Sequence, residues 1–572
     1  MQSFMLSDLP EKVTCAEQLL LHALVTQPDK SDIADCVCIG SGSYSLVFSA
    51  RQISTGSHVA IKVAKGENSA CLDASVLREL RAMHCIRHPN VLKLQRIFMI
   101  AGALAFQTKL YNVTLSGMWP ACAAHAPGIM RKVAQALNAA HSLGYLHRDV
   151  KPENIFLGET TEDVVLGDWG LSRYLGDCSP DWMTGNVITT FYAPPEVLCH
   201  SEAYGTAADV WSLGMTLLEM CLTDDWPFTA DMRRSTFMTP MLNFLGTEHV
   251  SLEDMHWLHC AVSKSSSQRS ALVPKKRPGT LWTGGNLPDG AFDLLRGMLH
   301  YVPSKRWTLD QVMAHPFLNT HIMHLQTNKS GFSGILTKQV EGGELAGLHV
   351  FEHDPDRFLS SFEPGWNPSL WREAVVLTFK FAATFFEKNA LTSYLCAMHI
   401  SKYVPECTMR LAIACLTLSY AMCTNVWTHA DGIRSDSYAL LKSKSEYALV
   451  PFGIANAMHL AEFEKQVLMD VKGILPDIPW KQLVSQCPST FGMYQKVSMY
   501  AMATPRLVGD LNLAEDDIVE LAKEAEAAEG LVLFEHSTRL QTVISAMNDE
   551  GIWCVLEERG TLATSSTTPK MS

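Results

Sequence analysis

His147-Arg148-Asp149-Val150-Lys151-Pro152-Glu153-Asn154 is the stretch on which the reading of this chain turns. It sets a carboxylate, an ammonium and an amide within six residues, and Pro152 breaks any helix through them. Before it, Ile129, Val133, Leu137 and Ala140 recur at spacings of three and four, which predicts an amphipathic helix ending near the loop. After it comes Gly167-Asp168-Trp169-Gly170, a second carboxylate between glycines. Far upstream lies Ile39 to Phe48, I-G-S-G-S-Y-S-L-V-F, where Gly40 and Gly42 let backbone pass close to phosphates and a third glycine is absent at Ser45. A-I-K follows and places Lys62 on a strand, where an ammonium reaches phosphates as a point charge. The helical run D-A-S-V-L-R-E-L then carries Glu79, a carboxylate able to hold Lys62.

Each piece alone reads as a solvated charge or an ordinary turn. In identity, order and spacing together they resemble a eukaryotic protein kinase over residues 33–320. The resemblance implies a bilobal α+β fold, with ATP and Mg²⁺ as cofactors. Asp149 is then the group that orients or accepts the proton of a substrate hydroxyl. Asn154 and Asp168 hold the metal against the nucleotide phosphates, and Lys151 stabilises the transferred group, as in serine/threonine kinases. Ile39, Gly40, Gly42, Val47, Ala60, Lys62 and Glu79 form the expected nucleotide site. Trp169 stands where the family usually has Phe.

Several segments resemble cyclin-dependent kinases in particular. They are Ser75-Val76-Leu77-Arg78-Glu79, L-G-T at 245–247, M-L-H-Y-V-P-S-K-R-W-T at 298–308 and A-H-P-F at 314–317. Asp209-Val210-Trp211-Ser212-Leu213-Gly214 is similar to the family helix that steadies the catalytic loop, with Asp209 as its anchor. Glu196 and Arg306 are expected to form a buried structural ion pair. Aligned on the family, Thr184 falls at the activating phosphothreonine, with Arg78, Arg148 and Arg173 as the arginines that receive its phosphate. Ala193 replaces the arginine that favours proline after the phosphorylated residue, which puts proline-directed specificity in doubt. Phe106 and Gln107 are equal candidates for the residue at the back of the nucleotide pocket. P-K-K-R-P-G in 263–290 reads as an exposed loop, with nuclear import as the other reading.

The composition fits this organisation. Apolar residues make up 47% of 572 and charged ones only 18%, which excludes disorder over most of the length. A net charge of −13 argues against a partner held through phosphate neutralisation, so no nucleic acid is expected. No apolar run is long enough to span a membrane, and no secretory leader is readable. Sixteen scattered cysteines without a C-x-x-C pair suit a reducing compartment, so an intracellular protein is expected, cytoplasmic or nuclear.

Residues 1–32 read as a helical N-terminal extension and 321–365 as a Gly-, Ser- and Pro-rich linker. Residues 366–485 resemble a cyclin box, an all-α helical bundle, on runs such as M-R-L-A-I-A-C-L-T-L-S-Y-A from Met409 and E-F-E-K-Q-V-L-M-D-V-K-G-I-L-P from Glu462. Glu464 falls at that family's kinase-contacting glutamate, while Tyr420 lies where its partner lysine is expected. Residues 486–560 read as helical, in the manner of a degenerate second cyclin fold, and 561–572 as a disordered tail. A flexible linker of about 45 residues spans roughly 35–40 Å, enough to fold back, and such tethers reach about millimolar effective concentration. The expectation is a serine/threonine kinase acting on proteins and activated in cis through a kinase–cyclin-like contact. Two alternatives stand beside it: a pseudokinase scaffold that binds cell-cycle partners, and an active kinase whose helical tail recruits substrates.

Overall fold

The computed structural model describes residues 32–41, 45–64, 74–100, 103–111, 113–118, 123–175, 188–199, 204–222, 226–229, 232–248, 250–264, 279, 281, 287–318, 348–352, 397, 400–401, 403–404, 409–423 and 457–475. The 1–32 helix (Asp32 apart), the 486–560 helices, the tail, Thr184, Gly42, Ser43 and Tyr44 lie outside the described residues. The chain divides into two units, the main part of the second beginning at Asp354.

In the first unit, β1 (Ile33–Ser41), β2 (Ser45–Gln52) and β3 (His58–Ala64) are successive antiparallel strands. Alternation buries Leu46, Phe48 and Ala50 from β2 and Val59, Ile61 and Val63 from β3 in one apolar cluster. Helix α1 (Ala74–Cys85) follows, then β4 (Leu94–Ile100) and β5 (Ala103–Lys109). The sheet order is β1-β2-β3-β5-β4 with one more strand, β11 (Leu348–Glu352), paired antiparallel to β4.

That last strand lies inside the segment read as a linker. The Gly-, Ser- and Pro-rich stretches on either side dominated that reading. They hid the run L-H-V-F-E, whose Val350 and Phe351 suit a pleated surface.

Helices dominate from Ala126 on. The short strand β6 (Val113–Thr114) leads to α2 (Ala126–Ser142), whose Ile129, Val133, Leu137 and Ala140 are all buried, as the periodicity predicted. Gly144 ends that helix at φ +81°, and a Cβ there would press on the Tyr174 ring at 3.2 Å. The chain then forms β7 (Tyr145–Leu146), β8 (Ile155–Leu157), β9 (Val164–Leu166) and β10 (Arg173–Tyr174). β6, β8 and β9 make one small sheet and β7 with β10 another. The loops on either side of the β8–β9 pair carry the candidate site.

Helix α3 (Pro195–Leu198) precedes α4 (Ala207–Leu222), which is apolar on nearly all sides and buried along most of its length. Helices α5 (Met238–Leu245), α6 (Leu252–Lys264), α7 (Ala291–Met298) and α8 (Leu309–Ala314) complete the unit, the last opened by a Thr308/Gln311 capping box.

In the second unit, α9 (Met409–Cys423) packs on α10 (Ala457–Asp470). Ala412 and Ala414 are buried, which lets the neighbouring backbone approach closely. Between the two helices Glu464 is buried and accepts a hydrogen bond from the Thr417 hydroxyl at 2.5 Å. The Glu464 carboxylate is thus engaged by a hydroxyl of the facing helix. A buried carboxylate needs such a donor, and Thr417 supplies it from the facing helix.

Candidate active site

The loop from His147 to Asn154 hangs between β7 and β8 and is fixed from below by α4. Asp209, fully buried, accepts the backbone N–H groups of His147 at 2.9 Å and Arg148 at 2.8 Å, and pairs with His141 Nε2 at 2.8 Å. Burial alone would raise its carboxyl; the hydrogen bond and charge of His141, then His147 and the Arg148 N–H, hold it below the usual range. These bonds keep Arg148 at φ +66°, a left-handed conformation rare outside glycine. Burial lowers the pKa of His147, and its Nε2 donates to the Gly167 carbonyl at 2.9 Å while Nδ1 accepts from the Asp149 N–H. The Trp169 indole meets that ring edge-on, centroids 4.5 Å apart, and donates to the Leu166 carbonyl. The larger aromatic at this position is therefore accommodated as a buried plug.

On this support Asp149 is the centre of a polar cluster. Lys151 Nζ lies 2.7 Å from its carboxylate. The Asn154 amide donates to its backbone carbonyl at 2.8 Å and to Oδ2 at 3.1 Å. The Thr189 hydroxyl donates to Oδ1 at 2.6 Å and accepts from Lys151 at 3.1 Å.

A second cluster forms around Lys62. Its ammonium is 2.7 Å from Glu79 on α1 and 2.9 Å from Asp168. Burial would lower the lysine's pKa; the two carboxylates outweigh it and raise it. Asp168 is pushed up by burial but held low overall by Lys62. Asp168 takes φ +55°, so the turn after Gly167 aims its carboxylate back at the lysine.

Strand register places the other expected residues. Val47 lies opposite Lys62, Gly40 opposite Val47, and Ala60 two residues before Lys62, so all four share one face of the sheet. Ile39 falls at a register shift between Cys38 and Gly40. Phe106 also pairs with Lys62, whereas Gln107 pairs with Ile61 on the other face. Of the two candidates for the back of the pocket, Phe106 is the one on the lysine's side.

Arg78, Arg148 and Arg173 are all buried. Arg78 Nε donates to the Gly170 carbonyl at 3.2 Å, and Arg148 Nε to the next carbonyl, Leu171, at 2.7 Å. Arg173 sits two residues on, in β10 opposite Leu146. The three are thus gathered at the start of the segment that contains Thr184. Glu196 and Arg306 make a bidentate pair, both bonds 2.7 Å, with the guanidinium 5.0 Å from the Trp211 ring centroid.

Three contributors escaped the motif reading. Thr189 looks in sequence like one of two adjacent loop threonines; its contact with Asp149 spans forty residues. Glu219 on α4 accepts from the Tyr192 hydroxyl at 2.6 Å, and burial pushes its carboxyl up to about 7. Arg234 donates to the carbonyl of Ile188, the residue before Thr189, at 2.6 Å. None belongs to a recognisable spacing pattern, and only the TTFY run ahead of Pro194-Pro195-Glu196 gives a hint of Thr189.

The donor set suits a nucleotide with a hard divalent cation. Asn154 spends its amide nitrogen on Asp149, which leaves the amide oxygen as its metal-facing atom, and Asp168 adds a carboxylate. Two oxygen donors suit a Mg²⁺ ion completed by phosphates and water. Among the described residues no group of three or more His, Cys, Asp or Glu is arranged to hold a metal by itself. Among them, also, no helix is long and apolar enough to cross a membrane.

Comparison with known proteins fits this geometry. The protein kinase domain model matches residues 34–318. The serine/threonine-protein kinase crk1 of Schizosaccharomyces pombe is 31% identical over 314 residues, covering 52% of this chain and 89% of that protein. The cell division control protein 2 homolog 1 of Trypanosoma brucei brucei is 29% identical over 294 residues, 49% of this chain and 96% of the relative. Cyclin-dependent kinase F-3 of Oryza sativa subsp. japonica is 30% identical over 291 residues, 49% and 64% of the two chains.

Proposed function

The chain belongs to the protein kinase family and is a protein serine/threonine kinase, and on that premise we propose that it is of the cyclin-dependent kinase type and is activated in cis by its own C-terminal half. The observation that carries the catalytic reading is the closed Lys62–Glu79 pair at 2.7 Å with Asp168 on the same ammonium at 2.9 Å. A kinase whose glutamate helix is swung out loses this pair, and here a single chain holds it.

Bound Mg·ATP supplies the phosphoryl group and the charge that draws the attacking oxygen in. Lys62 binds the nucleotide phosphates and Glu79 keeps it extended toward them. The face bearing Gly40, Val47, Ala60 and Phe106, with Ile39 and Gly42, encloses the base and sugar. Asp168 and the Asn154 amide oxygen hold the cation. Asp149 orients the substrate hydroxyl and takes its proton at the carboxylate. Lys151, tied to both Asp149 and Thr189, neutralises charge on the transferred group. Phosphate on Thr184 is received by Arg78, Arg148 and Arg173, while Glu196, Arg306 and Asp209 keep the large lobe rigid.

The kinase domain spans 33–320 and the cyclin-like bundle 366–485. The pairing of α9 with α10 and the small buried residues on α9 support the bundle reading. Protein serines and threonines are the substrates.

The test is transfer of radiolabelled phosphate by the full chain. Asp149→Asn and Lys62→Met are each expected to lower it at least about a hundredfold. Transfer that survives both changes would refute the assignment, and a wild-type chain without transfer would point to the scaffold alternative. Cutting the chain between 353 and 365 at an engineered protease site is expected to lower activity; unchanged activity rejects activation in cis.

A further inference from the structure

The order β1-β2-β3-β5-β4 would leave β4 as an outer edge with a row of unpaired N–H and C=O groups. Residues 348–352, some 250 positions later in the chain, cover it. Leu348 pairs with Ile100, Val350 with Phe98 and Glu352 with Arg96, in unbroken antiparallel register.

The fit is specific on both faces and at one end. Val350 packs against the apolar cluster that holds Phe98, Leu46 and Ile61. Phe351 stands opposite Ile97 on the other face. At the end, Arg96 is 2.5 Å from Glu352 and 3.2 Å from Asp32, the residue before β1. Asp32 in turn accepts from the Ser54 N–H at 2.7 Å and from the Gln52 amide at 3.0 Å. One guanidinium therefore joins the entry of the sheet to its last strand, and the strand's charge, apolar side chain and register all match the edge it covers.

We propose that residues 348–352 are an intramolecular docking strand, and that through it the C-terminal unit is tethered at the edge of the small-lobe sheet rather than at the end of the large lobe. The chain arithmetic gives the strand its effect. From Leu318 to the proposed bundle at 366 there are 47 intervening residues (319 to 365), a length that, treated as a random coil, would span roughly 40 Å. From Glu352 there are 13 (353 to 365), or roughly 20 Å on the same basis. Docking shortens the operative tether from the first length to the second and raises the effective concentration of whatever follows. The docking half of this inference stands on the strand alone; its effect on activity rests on the cis-activation reading above.

The experiment uses the full chain and reads two quantities. Val350→Pro removes a backbone donor and the apolar anchor. It is expected to speed deuterium uptake at residues 96–100 at least tenfold, leave β2 and β3 unchanged, and lower phosphate transfer several-fold. Val350→Ile keeps both as in wild type. Should Val350→Pro also loosen β2 and β3, Glu352→Gln reads the same edge more gently, with faster uptake at 96–97 expected. A synthetic peptide of residues 346–354, added in excess to the proline variant, is expected to protect β4 again without restoring transfer, because it carries no C-terminal unit.

Unchanged uptake at 96–100 in both variants would overturn the docking. Faster uptake with undiminished transfer, or transfer restored by the peptide, would overturn the tether. A wild-type chain with no transfer would sink the kinase reading while the exchange result still decided the docking.

Discussion

Replacing Asp209 by Asn tests whether the catalytic loop is held by one buried carboxylate. The two side chains have the same shape, but Asn offers one acceptor oxygen where Asp offers two. In the wild type Oδ2 receives the His147 N–H and His141 Nε2, and Oδ1 receives the Arg148 N–H, at 2.8–2.9 Å. Whichever way the amide turns, one backbone N–H then faces an NH₂ group. A charge-assisted bond of about 1.5–3 kcal/mol is lost and a buried donor is left over at about 1–3 kcal/mol, so the expected destabilisation is about 3–5 kcal/mol. The pH dependence has a definite sign. The folded carboxyl lies below its ordinary 3.8, so its contribution is complete above that value and is lost as pH falls through the folded pKa. The gap between wild type and variant is therefore full at pH 7 and closes in strong acid. The kinetic effect follows from Arg148: without these bonds its φ of +66° relaxes and carries Asp149 with it. A displacement of about 1 Å is worth roughly a hundredfold in kcat. Urea unfolding at pH 7 and near pH 2, with steady-state kinetics at pH 7, reads all three quantities. A variant within 1 kcal/mol of wild type and within threefold in kcat would refute the reasoning.

Two further predictions concern residues that no motif revealed. Thr189→Val removes the 2.6 Å bond to Asp149 and the 3.1 Å bond from Lys151, and is expected to lower kcat roughly tenfold to a hundredfold with an unaltered melting temperature, while Thr189→Ser retains most activity. Glu219, raised by burial from 4.5 to about 7, binds its proton more tightly folded than unfolded, so wild-type stability falls as pH rises through that window and levels off above it. In Glu219→Gln the slope disappears and the bond from Tyr192 survives on the amide oxygen. Thermal melts from pH 4.5 to 8 are expected to show the variant gaining on the order of 2–3 kcal/mol over wild type, and parallel curves would contradict it.

The residues proposed to meet nucleotide and hydroxyl were legible because their chemistry constrains both type and spacing. Lys62, Glu79, Asp149, Asn154 and Asp168 each stand in a short motif, and the structure gathers them into two adjoining clusters. The helix before the loop was legible from periodicity alone. What escaped was information the sequence stores across distance. Phe106 and Gln107 differ by one position, and only the pairing with β3 shows which shares a face with Lys62, because a one-residue slip reverses every side chain. The Arg234–Ile188 bond joins residues 46 apart. The strand at 348–352 is too short to outweigh the glycines around it, and its partner lies some 250 residues earlier, at Arg96 to Ile100.

A further set of long-range contacts has a common source in α4. Asp209 holds the backbone of His147 and Arg148, Ser212 Oγ donates to the Tyr192 carbonyl at 2.8 Å, and Glu219 accepts from the Tyr192 hydroxyl at 2.6 Å. At about 100° per residue, positions three and ten beyond Asp209 lie at roughly 300° and 280°, so the three side chains occupy an arc of about 80°. One face of one buried helix thus grips both the loop that ends in Asp149 and the segment that begins at Thr189. The 2.6 Å bond between Thr189 and Asp149 closes the circuit. A buried helix is suited to this because close packing leaves it little room to shift. The distance between the Asp149 carboxylate, the proposed proton acceptor, and the threonine bonded to it is thus set in large part by one helix that grips the segments carrying both.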